Sequence, residues 1–424
     1  MQLMKDDRNS MLLKEYSQYI LPVLKFRDIV ISRGSGSWVW DVSGNKYLDL
    51  NSGQFCAIFG HSPPQLAEVL SRIASKIQDT DTSTLSDDVL FAAKKVHNIA
   101  EGMHGRTLFL STGAEANECC LRYAKHLKEK NGIVAFDIGY HGLTHGTAAY
   151  SMSRSRIRPL IPYSYTVRAP RTFPGQNLTD KELREHVDEF ESVVSQNQDT
   201  IAAAIFEPII SGGGLYFPPR EYFKMIRQIC DRHGIFLIFD ECQTGFGRTG
   251  SWFYYQQLDC IPDFLVCAKA MGLGYPVSCV IANGDSVSNG LFVMQHYSSH
   301  QNEPFAACIV SHAIDMINNE HLIIKNRELG IYLLSRLVDL SKRIQLISEP
   351  RGIGLITGFN LFVEGTSDYK KIGDEFCRKA LQFGLLLQHC NNGKTIRLLP
   401  NYRITKSEID FLCDRLEEFC KTFP

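Results

Sequence analysis

Residues 235–250 read IFLIFDECQTGFGRTG and residues 262–280 read PDFLVCAKAMGLGYPVSCV. In each, a short apolar run reaches a charged side chain, Asp240 or Lys269, close to a glycine-rich stretch. A short apolar run bounded by such signals reads as a strand buried in a sheet. Asp240 then stands at the carboxyl end of its strand, the edge where open α/β sheets bind ligands. Working outward, similar apolar strands are expected at 106–110, 132–137, 202–207 and 277–282, beside those at 235–240 and 263–268. Amphipathic stretches alternate with them, which predicts an α/β fold with a mainly parallel sheet covered by helices. The clearest helix is 220–233, REYFKMIRQICDRH, stopped by Gly234 as a C-capping glycine stops one.

The flanks are organised differently. Residues 36–50, GSWVWDVSGNKYLDL, read as a hairpin turning at Ser43-Gly44-Asn45. A long helical region is expected from 305 to about 343, then RGIGLITGFNLFVE and closing helices near 368–384 and 405–421. The expected division is an N-terminal segment over 1–60 at the entrance to a site, a large ligand-binding domain over 61–310, and a smaller α+β domain over 311–424.

Of the 424 residues, 44% are hydrophobic and 21% charged, and the net charge is −1. That balance gives no electrostatic case for nucleic acid or an anionic membrane as partner. No apolar stretch is long enough to span a bilayer, and the first thirty residues lack the apolar core of a secretory signal. The thirteen cysteines include no C-x-x-C pair, and several sit within apolar runs. They read as buried free thiols in a reducing compartment, so the expected location is cytoplasmic.

Three segments carry chemistry. In 106–128, RTLFLSTGAEANECCLRYAKHLK, a strand turns through Ser111-Thr112-Gly113-Ala114 into a helix, and exposed N–H groups at such a start make an anion site suited to phosphate. A carboxylate at the position of Asp240 can hold a pyridine nitrogen protonated, or else simply cap backbone amides. A lysine at a buried strand end is costly unless paired or chemically engaged, and covalent attachment of a carbonyl compound would engage Lys269. GFGRTG at 245–250 also fits G-x-G-x-x-G, but an aromatic run follows instead of a helix, and no acid stands at the required distance. His141 and His145 are spaced i, i+4 in a glycine-broken stretch without a zinc-protease glutamate, so no metal is expected.

With STGAEAN, DECQTGFGRTG and AKAMGLGYP in this order, the chain resembles the class III aminotransferases from about residue 27 to its end. The resemblance implies a fold-type I pyridoxal 5'-phosphate enzyme with a seven-stranded-type sheet and active sites shared in a homodimer. It implies that Lys269 holds the cofactor as a Schiff base and acts as base, that Asp240 faces the ring nitrogen, and that Gly113 and Ala114 offer amides to the phosphate. By the same resemblance Tyr140, in GYHG, stacks on the ring, with His141 beside it and Cys242 on the other face. Glu207 belongs to the EP pair, Gln243 lies near the phenolic oxygen, and Ser299 reaches the partner subunit's cofactor phosphate. Arg397, in TIRLLPNY, matches the arginine that clamps a substrate carboxylate, which a guanidinium fork suits better than an ammonium.

Gln54, in SGQFCAIFGH, is similar to the 2,2-dialkylglycine decarboxylase and amino-sugar transaminase branch, as are EPIISGGG and SSHQNEPFAA. Tyr140, Gly212 and Cys242 depart from that branch, and the run Gly212–Gly214 reads as room for a larger substrate. The activity implied is amino transfer between a primary amine, an amino sugar of antibiotic assembly among the candidates, and a 2-oxo acid such as 2-oxoglutarate. Decarboxylating transamination, ω-amino acid transamination and an inert binding subunit of the same fold are the alternatives.

Overall fold

The computed structural model describes residues 8–152, 161–284 and 296–423. Near the N-terminus, β1 (Ile31–Ser35), β2 (Trp38–Asp41) and β3 (Lys46–Asp49) form two antiparallel hairpins. The second turns through 42–45 with Gly44 at φ 86°, as the sequence predicts. Strand β1 was not anticipated.

The centre is a seven-stranded sheet of β4 (Gly105–Leu110), β5 (Gly132–Phe136), β6 (Ser164–Val167), β7 (Ile201–Phe206), β8 (Phe236–Asp240), β9 (Phe264–Cys267) and β10 (Ser278–Asn283). Their order is β4-β10-β9-β8-β7-β5-β6. Five of the six expected strands run the same way; β10 lies antiparallel between β4 and β9. Strand β6, SYTV, is too short and too polar to stand out in the sequence. Both faces of the sheet are covered, which is why β7 is buried at every position. Ile133, Ala203, Ile205, Ile238 and Val266 pack with helix Gly113–Lys128, while Val134, Phe136, Ala204, Phe206, Leu237 and Phe239 point to the core shared with helices Asp180–Gln196 and Arg220–His233. Gly234 ends the latter helix at φ 62°, a conformation that costs a glycine little.

The expected continuous helical region from 305 is two helices, Pro304–Asn319 and Leu322–Ser341. His321, at φ 53°, breaks them apart, and no glycine or proline marks the break. A second antiparallel sheet follows, of β11 (Ile347–Ile353), β12 (Ile356–Leu361), β14 (Gln388–Cys390) and β15 (Thr395–Leu398) in the order β11-β12-β15-β14. Between them β13 (Leu385–Leu386) pairs parallel with β3, which joins the two ends of the chain. All thirteen cysteines are free thiols, Cys56 partly exposed and the others buried. Among the described residues no helix is long and apolar enough to cross a membrane.

The GFGRTG loop is a clasp. Arg248 is buried and donates through Nη1 to the carbonyls of Leu355 (3.0 Å) and Pro400 (2.5 Å), with its guanidinium 4.7 Å from the Tyr402 ring. Tyr402 Oη donates to Phe246 O (2.9 Å) and Asn326 Nδ2 to Gly247 O (3.0 Å). Arg248→Met keeps most of the bulk but strands two buried carbonyls. It is expected to cost about 2–4 kcal/mol of stability, read as a lowered urea midpoint at unchanged slope.

Candidate active site

Because β4, β5, β7, β8 and β9 run the same way, the residues that follow them gather at one edge of the sheet. Asp240 ends β8 and is buried. Its Oδ2 accepts from His141 Nδ1 (2.8 Å) and Asn117 Nδ2 (2.7 Å), and its Oδ1 from the Cys242 amide (3.1 Å). Burial pushes this carboxyl's pKa up, but the bond and charge of His141, the Cys242 thiol and the Lys269 ammonium together outweigh it. The group is held below its ordinary value. His141 is locked in turn: its amide donates to Ser151 Oγ (2.9 Å), and Asn117 Nδ2 also reaches His141 O (3.0 Å).

Lys269 opens the turn after β9 with φ 49°, partly exposed. Its charge is felt at Asp240, Glu207 and Cys242, so it lies within electrostatic reach of all three. The strained backbone costs about 1–3 kcal/mol for a non-glycine residue. Glu207, just past β7, is buried and accepts the Tyr140 amide at Oε1 (2.7 Å). Burial above all, with the Asp240 charge, pushes its pKa up to about 7. The Tyr140 side chain is exposed.

Helix Gly113–Lys128 begins at this edge, capped by Thr112, whose hydroxyl accepts from the Glu115 amide (3.2 Å). Ser278, the first residue of β10, donates to Thr112 O (2.8 Å) and ties the turn down. A Cβ on Gly113 would lie 2.7 Å from Cys242 Sγ, and one on Gly142 would lie 2.5 Å from Ala114 Cβ. Only glycines allow the helix start, the 139–142 loop and the loop after β8 to approach this closely.

Of the other expected site residues, Cys242 is buried here and Gln243 is partly buried. Gln54 and Ser299 are exposed. Arg397, on β15, is 8% exposed and donates to Ser211 Oγ (3.2 Å) and Gln388 Oε1 (3.1 Å). Among the described residues, Gln243 Nε2 and Arg397 Nε are buried with no hydrogen-bond partner. Unsatisfied buried donors call for an acceptor. Gln243 Nε2, together with an ionised carboxylate, a lysine and a helix start, fits the phosphate, ring and aldehyde of pyridoxal phosphate.

The run Gly212–Gly214 is in part a packing device: a Cβ on Gly213 would overlap the Ile138 carbonyl, and one on Gly214 would lie 2.5 Å from Tyr216. At Gly212 the nearest atom would be the movable tip of Met152, at 2.9 Å. Asn117, Ser151, Ser211, Ser278 and Gln388 were missed. A polar Asn117 on the buried face of an amphipathic helix was the one signal available.

Glu207 gives a pH signature. Between the ordinary carboxyl value of 4.5 and about 7, the unfolded chain releases a proton that the folded chain keeps. Its contribution to stability therefore falls as pH rises through that window and stays low above it. Glu207→Gln keeps the acceptor for Tyr140 but does not titrate. Relative to the unaltered protein, the variant should gain about 3 kcal/mol between pH 4.5 and 8 in urea unfolding. Parallel pH profiles for the two proteins would refute the assignment.

A family model described as aminotransferase class-III matches residues 23–420. An uncharacterized aminotransferase of Schizosaccharomyces pombe is 32% identical over 407 residues, covering 91% of this chain and 88% of that protein. Among solved structures, a Bacillus anthracis aminotransferase superposes with a TM-score of 0.88 at 26% identity, over 99% of both chains. A transaminase from the marine bacterium Virgibacillus superposes with a TM-score of 0.90 at 22% identity, over 98% of this chain and 99% of that one, a likeness of fold. This chain belongs to the class III aminotransferases, pyridoxal-phosphate-dependent enzymes of fold type I.

Proposed function

We propose that this enzyme moves an amino group between a primary amine and a carboxylate-bearing 2-oxo acid such as 2-oxoglutarate, with Lys269 as the covalent anchor of the cofactor. The observation that carries this reading is the buried Asp240 carboxylate, kept ionised by His141 and Asn117 within the electrostatic reach of Lys269. When bound, pyridoxal phosphate supplies an aldehyde for attachment and a ring that takes up the charge left on the substrate carbon. Asp240 would hold the ring nitrogen protonated, and His141 and Asn117 keep that carboxylate aimed and charged. Gly113 and Ala114 would offer amides to the phosphate, and Gln243 Nε2 a donor to the phenolic oxygen. Tyr140 and Cys242 would bracket the ring, with Glu207 fixing the Tyr140 backbone. Lys269 Nζ would be the base that takes the proton from the substrate carbon and delivers it on the far side of the substrate nitrogen. Arg397 would bind the carboxylate of the 2-oxo acid.

We further infer a homodimer in which Ser299, exposed in the turn near 299–302, reaches the partner subunit's cofactor phosphate. Gln54 precedes Phe55, whose ring lies under Arg397, and this position supports a decarboxylating variant of the same reaction as the second reading.

The purified enzyme should carry a chromophore near about 410–430 nm that borohydride fixes to the peptide containing Lys269. Lys269→Ala should lack both band and label, and a labelled lysine elsewhere would overturn the assignment. Mixing the enzyme with a panel of amines should bleach the band, and carbon dioxide release from 2-aminoisobutyrate would select the decarboxylating reading. Ser299→Ala should lower cofactor affinity without loss of the borohydride label; unchanged affinity would remove the proposed reach.

A further inference from the structure

Arg397 is a buried cation without a carboxylate partner among the described residues. Its neighbours are neutral: Ser211 Oγ, Gln388 Oε1 and the face of Phe55, 4.8 Å from the guanidinium carbon. Two of a guanidinium's five N–H donors are used in this way, and Nε is buried with no partner. A charge out of water with neutral company is costly unless a counter-charge arrives.

Three separate segments fix this guanidinium. Gln388 stands directly opposite Arg397 in the antiparallel pairing of β14 with β15, so the two side chains share a face. Ser211 lies on the loop after β7, and Arg351 pins that loop by donating to Gly214 O (2.6 Å) and Leu215 O (3.0 Å). Phe55 is held at φ 68°, in a segment where Ser52 and Gly53 also have positive φ. Asp49 accepts the amides of Asn51 (2.8 Å) and Gly53 (2.6 Å), and Ser52 Oγ donates to Leu399 O (2.8 Å). Left-handed backbone of this kind persists only where its surroundings over-determine it. The cation is locked in place but not neutralised.

We propose that Gln388, with Ser211, is the positioning and specificity residue of the substrate site: it holds Arg397 through a neutral oxygen, leaving the full charge for a substrate carboxylate. The site is thereby committed to carboxylate-bearing substrates over carboxylate-free amines. This rests on the reading of Arg397 given above as the carboxylate clamp. A carboxylate in place of the Gln388 amide would satisfy the same N–H and cancel the charge.

The test uses the holoenzyme and glutarate, a dicarboxylate with no group to react, with affinity read by calorimetry. Gln388→Glu should weaken glutarate about 10- to 100-fold, the scale of losing a charge-assisted hydrogen-bonded pair. The preference for L-alanine over n-butylamine, as a ratio of kcat/KM, should fall by a similar factor. Gln388→Leu, which removes the acceptor without adding charge, should lose clearly less. Ser211→Asp brings the same neutralising charge from the other side and replaces Gln388→Glu if that variant does not retain cofactor. If Gln388→Glu binds glutarate within about 3-fold of the unaltered enzyme while Arg397→Ala has lost it, the proposal is overturned. An equal loss in Gln388→Leu overturns it as well. Undiminished glutarate binding by Arg397→Ala would instead bring down the clamp itself.

Discussion

Asp240 carries its charge where water does not reach it, and most of the site can be understood as what that demands. An isolated carboxylate at a buried strand end would take up a proton and become useless as a counter-charge. Here His141, Asn117 and the Cys242 amide satisfy it, and Lys269 adds a positive charge nearby. Each helper needs its own support. His141 depends on Ser151, Asn117 on the first turns of helix Gly113–Lys128, and that helix start on Ser278 and Thr112. The hydrogen bonds thus link the carboxylate to the residues that follow β4 and β5 and to the start of β10.

The same edge separates two carboxyls by environment. Asp240 and Glu207 are both buried, yet one is held below its ordinary pKa and the other is pushed up to about 7. The difference lies in donors: Asp240 has two side-chain donors and an amide, Glu207 the Tyr140 amide. Two like charges this close would repel, and leaving one protonated lowers the cost of keeping the other ionised.

Arg397 poses the mirror problem, a buried cation held by neutral groups. Its three supports come from the N-terminal segment, the loop after β7 and the edge of the C-terminal sheet. The pairing of β13 with β3 and the Arg248 clasp hold these regions together. The G-x-G-x-x-G stretch thus works as structural backbone, in keeping with the aromatic run that follows it.

Much of this was written in local sequence. Apolar runs ending in Asp240 and Lys269, the turn into helix Gly113–Lys128 and the Gly234 stop are read within a few residues, because strand burial and helix capping are short-range requirements. Local sequence was silent on the direction of β10, on β6, and on the helix break at His321, where no glycine or proline stands. It was silent too on Gly213, which lets the backbone of Ile138 approach closely. Which side chains satisfy a buried charge depends on residues more than a hundred positions apart meeting at one edge, as Asn117 meets Asp240 and Ser211 meets Arg397. Sequence by itself named the charged groups and their strands; only the tertiary structure decided their partners, since desolvation and hydrogen bonding act through space and not along the chain.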